Sequence, residues 1–157
     1  MYDVAVVGTG ANPDDPGRDG YAMAYRHADG YASHNDCRLV ACADLVRENA
    51  VQFARAYGLG SVYESTSELL AEHSPDIVSV CVPPAAHEPV VTELAESGQV
   101  TAIHCEKPMA TTWADCRTMV AACRDNEVRL SFNHQMRFGE PFARAKALLD
   151  EGAIGAL

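Results

Sequence analysis

Short, mainly apolar runs alternate with longer amphipathic segments along almost the whole chain. Runs such as YDVAVVG (2–8), RLVACAD (38–44) and DIVSVCV (76–82) are typical of strands that are buried on both faces of a sheet. The segments between them carry apolar residues at helical spacing. Strands that alternate with helices indicate βαβ units, and therefore a parallel sheet with right-handed crossovers.

The pattern predicts an α/β fold, a doubly wound parallel sheet of the Rossmann type with helices on both faces. The predicted strands are 2–8, 38–44, 61–65, 76–82, 101–106 and 128–134, and the predicted helices are 21–32, 47–58, 66–74, 87–98, 113–126 and 140–152. We expect Thr66 or Ser67 to cap the third helix, and Thr111 or Thr112 to cap the fifth.

Composition narrows the function classes. The net charge of −10 argues against a nucleic-acid partner, whose phosphates require a basic surface. No apolar run approaches about 20 residues and no secretory signal is evident, so we expect no membrane partner and a cytoplasmic location. A salt-loving source and an acidic mesophile fit the charge equally well. The six cysteines form no CxxC pair and no zinc-like cluster with the six histidines, so we expect reduced packing residues and no metal site.

The first predicted βα turn, VVGTGANPDDPGRDG (6–20), contains two glycines of a dinucleotide motif. Gly8 and Gly10 stand where a pyrophosphate would meet backbone N–H groups, but no third glycine follows on schedule. Asp44 ends the second strand 34 positions after Gly10, where about 20 is usual. One insertion of roughly ten residues explains both departures, and Gly20 or Ala24 then replaces the third glycine. The alternative is a plain turn in an α/β protein that binds no nucleotide.

Asp44 also bears on the choice of coenzyme. Its carboxylate would bind ribose hydroxyls and repel a 2′-phosphate, which predicts NAD over NADP, while Arg47 softens that preference. The acids within the insertion would repel phosphate if they faced it, so we expect Asp14, Asp15 and Asp19 to point to solvent.

Two polar segments follow the later strands. In HCEKPMATT (104–112), Lys107 is one of only two lysines and ends the fifth strand, where an ammonium can stabilise a developing alkoxide. Glu106 could pair with Lys107 or bind a ribose, and His104 is expected to be a core histidine. In VPPAAHEP (82–89), His87 begins a helix, so capping of that helix is an alternative to a role in the site.

These segments carry a family resemblance. The residues concerned are RHA (26–28), Pro83, Pro84, His87, Glu106, Lys107, Pro108, Asn133, His134, Arg137 and Phe138. Because these motifs occur in this order along the chain, the sequence resembles the N-terminal domain of the Gfo/Idh/MocA oxidoreductases. The resemblance covers essentially the whole length of the chain.

The resemblance implies an NAD(P)-dependent dehydrogenase that moves hydride between the coenzyme and a carbinol carbon of a sugar, cyclitol or similar polyol. It implies that Lys107 is catalytic and that Glu106, Pro83 and His87 join Gly8, Gly10 and Asp44 in binding the cofactor. Asn133 and Arg137 would line the site or anchor a second domain.

Family members carry a second, substrate-binding α+β domain. We therefore expect a dinucleotide-binding domain over 1–138, then a helix and the start of that second domain over 139–157, with its first strand beginning near AIGAL (153–157). By itself the chain would be inactive, and a homo-oligomer would depend on the second domain. The alternative function is a dinucleotide-binding or regulatory module without turnover.

Overall fold

The computed structural model describes residues 1–14 and 23–155. One sheet of six strands in the order β3-β2-β1-β4-β5-β6 forms its centre. The strands are β1 (Tyr2–Val7), β2 (Cys37–Ala43), β3 (Val62–Tyr63), β4 (Ile77–Val80), β5 (Ala102–Cys105) and β6 (Arg129–Phe132). The helices are α1 (Met23–Ala32), α2 (Arg47–Tyr57), α3 (Thr66–Glu72), α4 (His87–Glu96), α5 (Trp113–Asp125) and α6 (Glu140–Asp150), with 3₁₀ helices at Pro84–Ala86 and Gln135–Phe138. The predicted α/β fold is confirmed.

Every pairing in the sheet is parallel, and the strand order reverses at β1. This strand pairs with β2 on one side, where Val6 is level with Cys42, and with β4 on the other, where Val6 is level with Ser79. The chain therefore leaves β1 and β4 in opposite directions at the carboxyl edge of the sheet. A crevice at such a switch point is where α/β sheets bind ligands.

Each face of the sheet has its own core. Val6 and Cys42 pack with the buried faces of α1 and α2, where Phe53 is fully buried. Ala5 and Val7 point the other way and pack with residues of α3, α4 and α5. Alternation along β1 thus commits the strand to both cores. Burial of a side chain the size of Phe53 stabilises the fold by about 1.5–3 kcal/mol.

Hydroxyl side chains cap the N-termini of α3 and α5 by accepting hydrogen bonds from backbone N–H groups. Ser65 caps α3, because its Oγ accepts a hydrogen bond from the N–H of Glu68 at 3.2 Å. The prediction of Thr66 or Ser67 was wrong, since Thr66 is already helical and is buried. Thr112, one of the two predicted residues, caps α5 through the N–H of Asp115.

The last helix differs from the others. Every residue of α6 is exposed or half-buried, and residues 151–154 form turns where the first strand of a second domain was expected. Residues 156 and 157, the end of AIGAL, lie outside the described residues.

The structure bears on two predictions from composition, which concern the cysteines and the membrane. All six cysteines are free, with Cys42, Cys105 and Cys123 buried. Among residues 1–14 and 23–155, no helix is both long and apolar enough to cross a membrane.

Candidate functional site

Glycine occupies positions 8 and 10 of the first βα turn for different structural reasons. Gly8 has φ +83°, and a Cβ at this position would lie 2.6 Å from the backbone N of Val82. Only glycine therefore allows the end of β1 to approach the loop after β4. Gly10 has φ +63°, and no described atom lies within 4 Å of a Cβ built there. Among the described residues, the space beside the Gly10 backbone is therefore open.

The Asp44 carboxylate holds this turn in place. Its Oδ2 accepts hydrogen bonds from the Gly10 N–H at 2.8 Å and the Thr9 hydroxyl at 3.2 Å. Its Oδ1 accepts from the Val46 N–H at 2.8 Å and the Asn49 side chain at 3.4 Å. A carboxylate has about four lone-pair positions, so all of them are engaged. Asp44 thereby joins the glycine turn to the start of α2.

A cavity of about 280 Å³ opens beside Asp44. Its apolar lining includes Val7, Gly8, Ala43, Leu45, Val82, Pro83, Ala86 and Val90. Three acidic residues, Asp44, Glu64 and Glu93, are also among the residues that line it. Because residues that follow β1, β2, β3 and β4 all contribute, the cavity lies at the carboxyl edge of the sheet.

His87 is completely buried at the start of α4. Its Nδ1 is 2.8 Å from the Pro108 carbonyl oxygen, and its Nε2 is 2.9 Å from the Val82 carbonyl oxygen. A neutral imidazole has one N–H and donates to one of these carbonyls, whereas an imidazolium donates to both. His87 therefore links the loop after β4 to the loop after β5. It does not line the cavity beside Asp44, and a direct contact with a cofactor stays a prediction.

Glu106 lies in a buried polar network and is 6% exposed. Its Oε1 accepts hydrogen bonds from the side chains of Asn133 and His27, and its Oε2 accepts from the Lys107 N–H at 3.2 Å. Burial raises the pKa of Glu106, but the hydrogen bonds from Asn133 and His27 outweigh burial, and the pKa lies below its ordinary value. The carboxylate thus stays ionised and fixes the backbone of the next residue.

A second layer supports Glu106 from below. The His27 Nδ1 lies against the Ser79 hydroxyl at 2.5 Å, and the His27 ring stacks on His104 with centroids 4.5 Å apart. The Tyr31 hydroxyl is 3.1 Å from the His104 Nδ1. Burial, and then the electrostatic interaction with the neighbouring His27, lower the pKa of His104 to about 4. This partly buried histidine is therefore neutral near pH 7.

Sequence reasoning assigned no role to His27 or Ser79. One signal was available for His27, because it shares the apolar face of α1 with Ala24 and Ala28. A polar side chain at such a position needs a buried partner.

Lys107 is exposed, and the peptide bond that joins it to Pro108 is cis. In the described part of the chain its ammonium group makes no hydrogen bond or ion pair, so it does not pair with Glu106. It lines a second cavity of about 660 Å³ with His134, Gln135, Met136, Arg137, Phe142 and Lys146. Both lysines of the chain thus lie beside one cavity.

The predicted site residues therefore form three groups. Gly8, Asp44 and Pro83 line the first cavity, with Gly10 bonded to Asp44, and Lys107 lines the second. Glu106 and His87 are buried beneath the loops that carry these residues. Asp14 is exposed as expected, whereas Asp15, Asp19 and Gly20 lie outside the described residues.

A model of a known family covers most of this arrangement. The oxidoreductase family with an NAD-binding Rossmann fold, Gfo/Idh/MocA, matches residues 2–134. The chain belongs to the Gfo/Idh/MocA oxidoreductase family. The resemblance inferred from the sequence motifs is confirmed.

Relatives within the Gfo/Idh/MocA family include sugar dehydrogenases. The chain is 29% identical to D-glucoside 3-dehydrogenase of Escherichia coli over 98% of its own length and 40% of that protein. It is 37% identical to the NADP-dependent D-xylose 1-dehydrogenase of Haloarcula marismortui over 59% of its length and 25% of that protein. The chain thus spans well under half the length of these relatives.

Solved structures of the family agree with the fold. The WlbA dehydrogenase of Bordetella pertussis, in complex with NADH and UDP-GlcNAcA, superposes with a TM-score of 0.84. The match has 28% sequence identity and covers 96% of this chain and 42% of that one.

Proposed function

We propose that this chain is the dinucleotide-binding part of an NAD(P)-dependent oxidoreductase, which transfers hydride between the coenzyme and a carbinol carbon of a sugar, cyclitol or similar polyol. One observation carries the proposal. The Gly8–Gly10 turn with Asp44 lies on one side of the β1–β4 switch point, and the loop with Lys107 lies on the other. A coenzyme with two nucleoside ends fits such a division, because it crosses the crevice between the halves.

The side of the sheet with Asp44 would hold the adenosine end. No atom of the described residues stands beside Gly10 to keep a diphosphate from the backbone, and the apolar cavity beside Asp44 suits a purine. A ribose hydroxyl both donates and accepts, so it can replace one of the present contacts of the Asp44 carboxylate. Asp44 favours NAD, and NADP is the second candidate.

Lys107 would act at the other end. When bound, the nicotinamide ring supplies or receives the hydride. The Lys107 ammonium is accessible and would hydrogen-bond the carbinol oxygen and stabilise negative charge on it. We infer that Glu106 positions Lys107 by holding its N–H group. The contact between Glu106 and the nicotinamide-side ribose, which the family resemblance implies, remains a prediction.

We also propose that residues 1–138 form the dinucleotide-binding unit and that 139–157 lead into a substrate domain. The family match ends at residue 134, and the relatives are much longer than this chain. α6 also has an exposed apolar side chain, Phe142, that another domain would cover. A cytoplasmic location and a homo-oligomer that depends on the second domain remain predictions from the sequence.

Coenzyme binding is tested with two glycine variants that carry the same backbone strain. Gly10 and Gly98 have φ of +63° and +68°, and neither has an atom of residues 1–14 or 23–155 within 4 Å of an added Cβ. Each change to alanine should cost about 1–2 kcal/mol of folding free energy. Only Gly10→Ala should weaken NAD binding in titration calorimetry, by about tenfold or more. Equal affinities in the two variants, or no binding by the folded wild-type chain, would refute the dinucleotide site.

The alternative, a binding or regulatory module without turnover, shares the binding prediction. The two are separated by assaying NAD reduction with a panel of polyols, using the protein expressed from its whole reading frame. Turnover that falls by at least about a hundredfold in Lys107→Met would support the oxidoreductase. Coenzyme binding without turnover of any polyol would favour the module.

A further inference from the structure

An ion pair lies at the cavity beside Asp44. Asp44 donates its N–H to the Tyr63 carbonyl oxygen at 3.0 Å, which places the end of β3 next to the end of β2. Glu64, the next residue, lines the cavity. The Nη1 of Arg47, the first residue of α2, is 3.3 Å from the Glu64 Oε1. Arg47 therefore points towards Glu64 across the carboxyl edge of the sheet.

The two coenzymes differ only at this end. NADP carries a phosphate on the adenosine 2′-oxygen, and an arginine that follows β2 can accommodate that phosphate. Arg47 has the right position in the sequence and in the fold. Its guanidinium, however, already has a carboxylate partner in Glu64. No lysine or arginine is among the described residues that line the cavity.

We propose that Glu64 determines coenzyme choice by holding Arg47 away from the position of a 2′-phosphate. This inference rests on the proposed dinucleotide site and adds a second determinant to Asp44. In wild type, an incoming 2′-phosphate must compete with Glu64 for the guanidinium. NAD lacks that phosphate and does not require Arg47 to be released.

Glu64 can be changed without disturbing the glycine turn. The Asp44 carboxylate binds Gly10 and Val46, so its replacement alters the turn for both coenzymes. The Glu64 side chain is 51% exposed, and its hydrogen bond is to Arg47. A glutamine at position 64 removes the negative charge and keeps the size of the side chain.

The experiment measures dissociation constants for NADP and NAD by titration calorimetry on the whole chain. The variants are Glu64→Gln, Arg47→Gln and the double variant. Asp125→Asn is the matched control, because Asp125 also pairs with an exposed arginine, Arg124, and its change alters the net charge equally. Thermal unfolding verifies that each variant is folded.

We expect Glu64→Gln to raise the affinity for NADP relative to NAD about fivefold, the size of effect that one exposed ion pair can exert. The gain should disappear in the double variant, and Asp125→Asn should show none. A gain no larger than that of Asp125→Asn would overturn the proposal. So would an equal gain in the double variant, because it would arise from reduced repulsion without Arg47. Failure of wild type to bind either coenzyme would instead refute the proposed function.

Discussion

The two halves of the sheet present their polar residues in opposite ways. On the half formed by β1, β2 and β3, Asp44 lines the cavity itself, and its carboxylate is bonded to the backbone of the glycine turn. On the half formed by β4, β5 and β6, the bonded carboxylate is Glu106, which is buried, while Lys107 beside it is exposed.

Under the proposed function, this difference separates the residues that bind the coenzyme from the residue that takes part in the chemistry. A recognition group gains from being fixed before the ligand arrives, because less conformational freedom is lost on binding. Under the proposed function, Lys107 must meet the reacting oxygen closely, and its exposed side chain stands on a backbone that Glu106 fixes. In the first half the fixed carboxylate, Asp44, therefore lies at the cavity itself. In the second half the fixed carboxylate, Glu106, lies buried beneath the exposed Lys107. Four tests, at Gly8, His87, His104 and Lys107, probe that contrast, in order of decreasing effect.

The largest effect is expected where the two halves touch. Gly8→Ala would place a Cβ 2.6 Å from the backbone N of Val82 and would keep a positive φ. We expect a loss of about 3–5 kcal/mol of folding free energy, measured by urea unfolding. Gly10→Ala meets only the strain and should lose about 1–2 kcal/mol. Equal losses would show that the two halves do not touch closely at Gly8.

His87 is the next test, because it links two loops of the second half, those that follow β4 and β5. His87→Leu removes the imidazole that lies between the carbonyl oxygens of Val82 and Pro108. We expect a loss of about 2–3 kcal/mol in urea unfolding, since a fully buried ring loses its hydrogen bond and a carbonyl loses its donor. His87→Gln retains one donor group and should lose less. Equal stability of the leucine variant and wild type would exclude the link.

The buried layer under Glu106 should respond to pH. The pKa of His104 is lowered to about 4 in the folded chain, from an ordinary value of 6.5. Between these values the unfolded chain binds the proton more readily, so the free energy of unfolding should fall as the pH falls from 6.5 to 4. We expect His104 to contribute between about 1 and 3 kcal/mol to that fall.

The comparison protein is His104→Asn, followed by urea unfolding at several pH values. Its stability should change less steeply across the same interval. An identical slope in wild type and variant would show that His104 titrates normally in the fold.

The smallest effect on stability is expected at Lys107. Its ammonium group has no partner in residues 1–14 and 23–155, so Lys107→Met should change the free energy of unfolding by no more than about 0.5 kcal/mol. Glu106→Gln, one residue earlier, should lose about 1–3 kcal/mol because its buried partners lose a charged acceptor. Similar losses in thermal unfolding would remove the contrast between the two residues.

The order of strands and helices could be predicted because buried strands and amphipathic helices have different hydrophobic periods. The ends of the elements were less predictable. The run 76–82 was predicted as a strand, and the strand itself is Ile77–Val80, although the Cys81 N–H still bonds to the Val7 carbonyl oxygen. Apolar character continues past the last regular pair because the same loop packs against Gly8.

The site was predictable in its residues and not in its contacts. Motif positions indicated Asp44, Glu106 and Lys107, because the carboxyl ends of parallel strands meet at one edge. The partner of Glu106, His27, is 79 residues away, and the packing of α1 on the sheet brings the two together. Spacing along a sequence does not determine such a contact. The ion pair of Arg47 and Glu64 depends in the same way on the alignment of β2 with β3.

The hydrogen bond from the Gly10 N–H to Asp44 has a consequence for how quickly a ligand is captured. Because the Asp44 carboxylate already holds the backbone at Gly10, the turn has its final shape before a nucleotide enters the proposed site. Binding then requires no refolding of the turn, and the association rate should approach that of a rigid receptor.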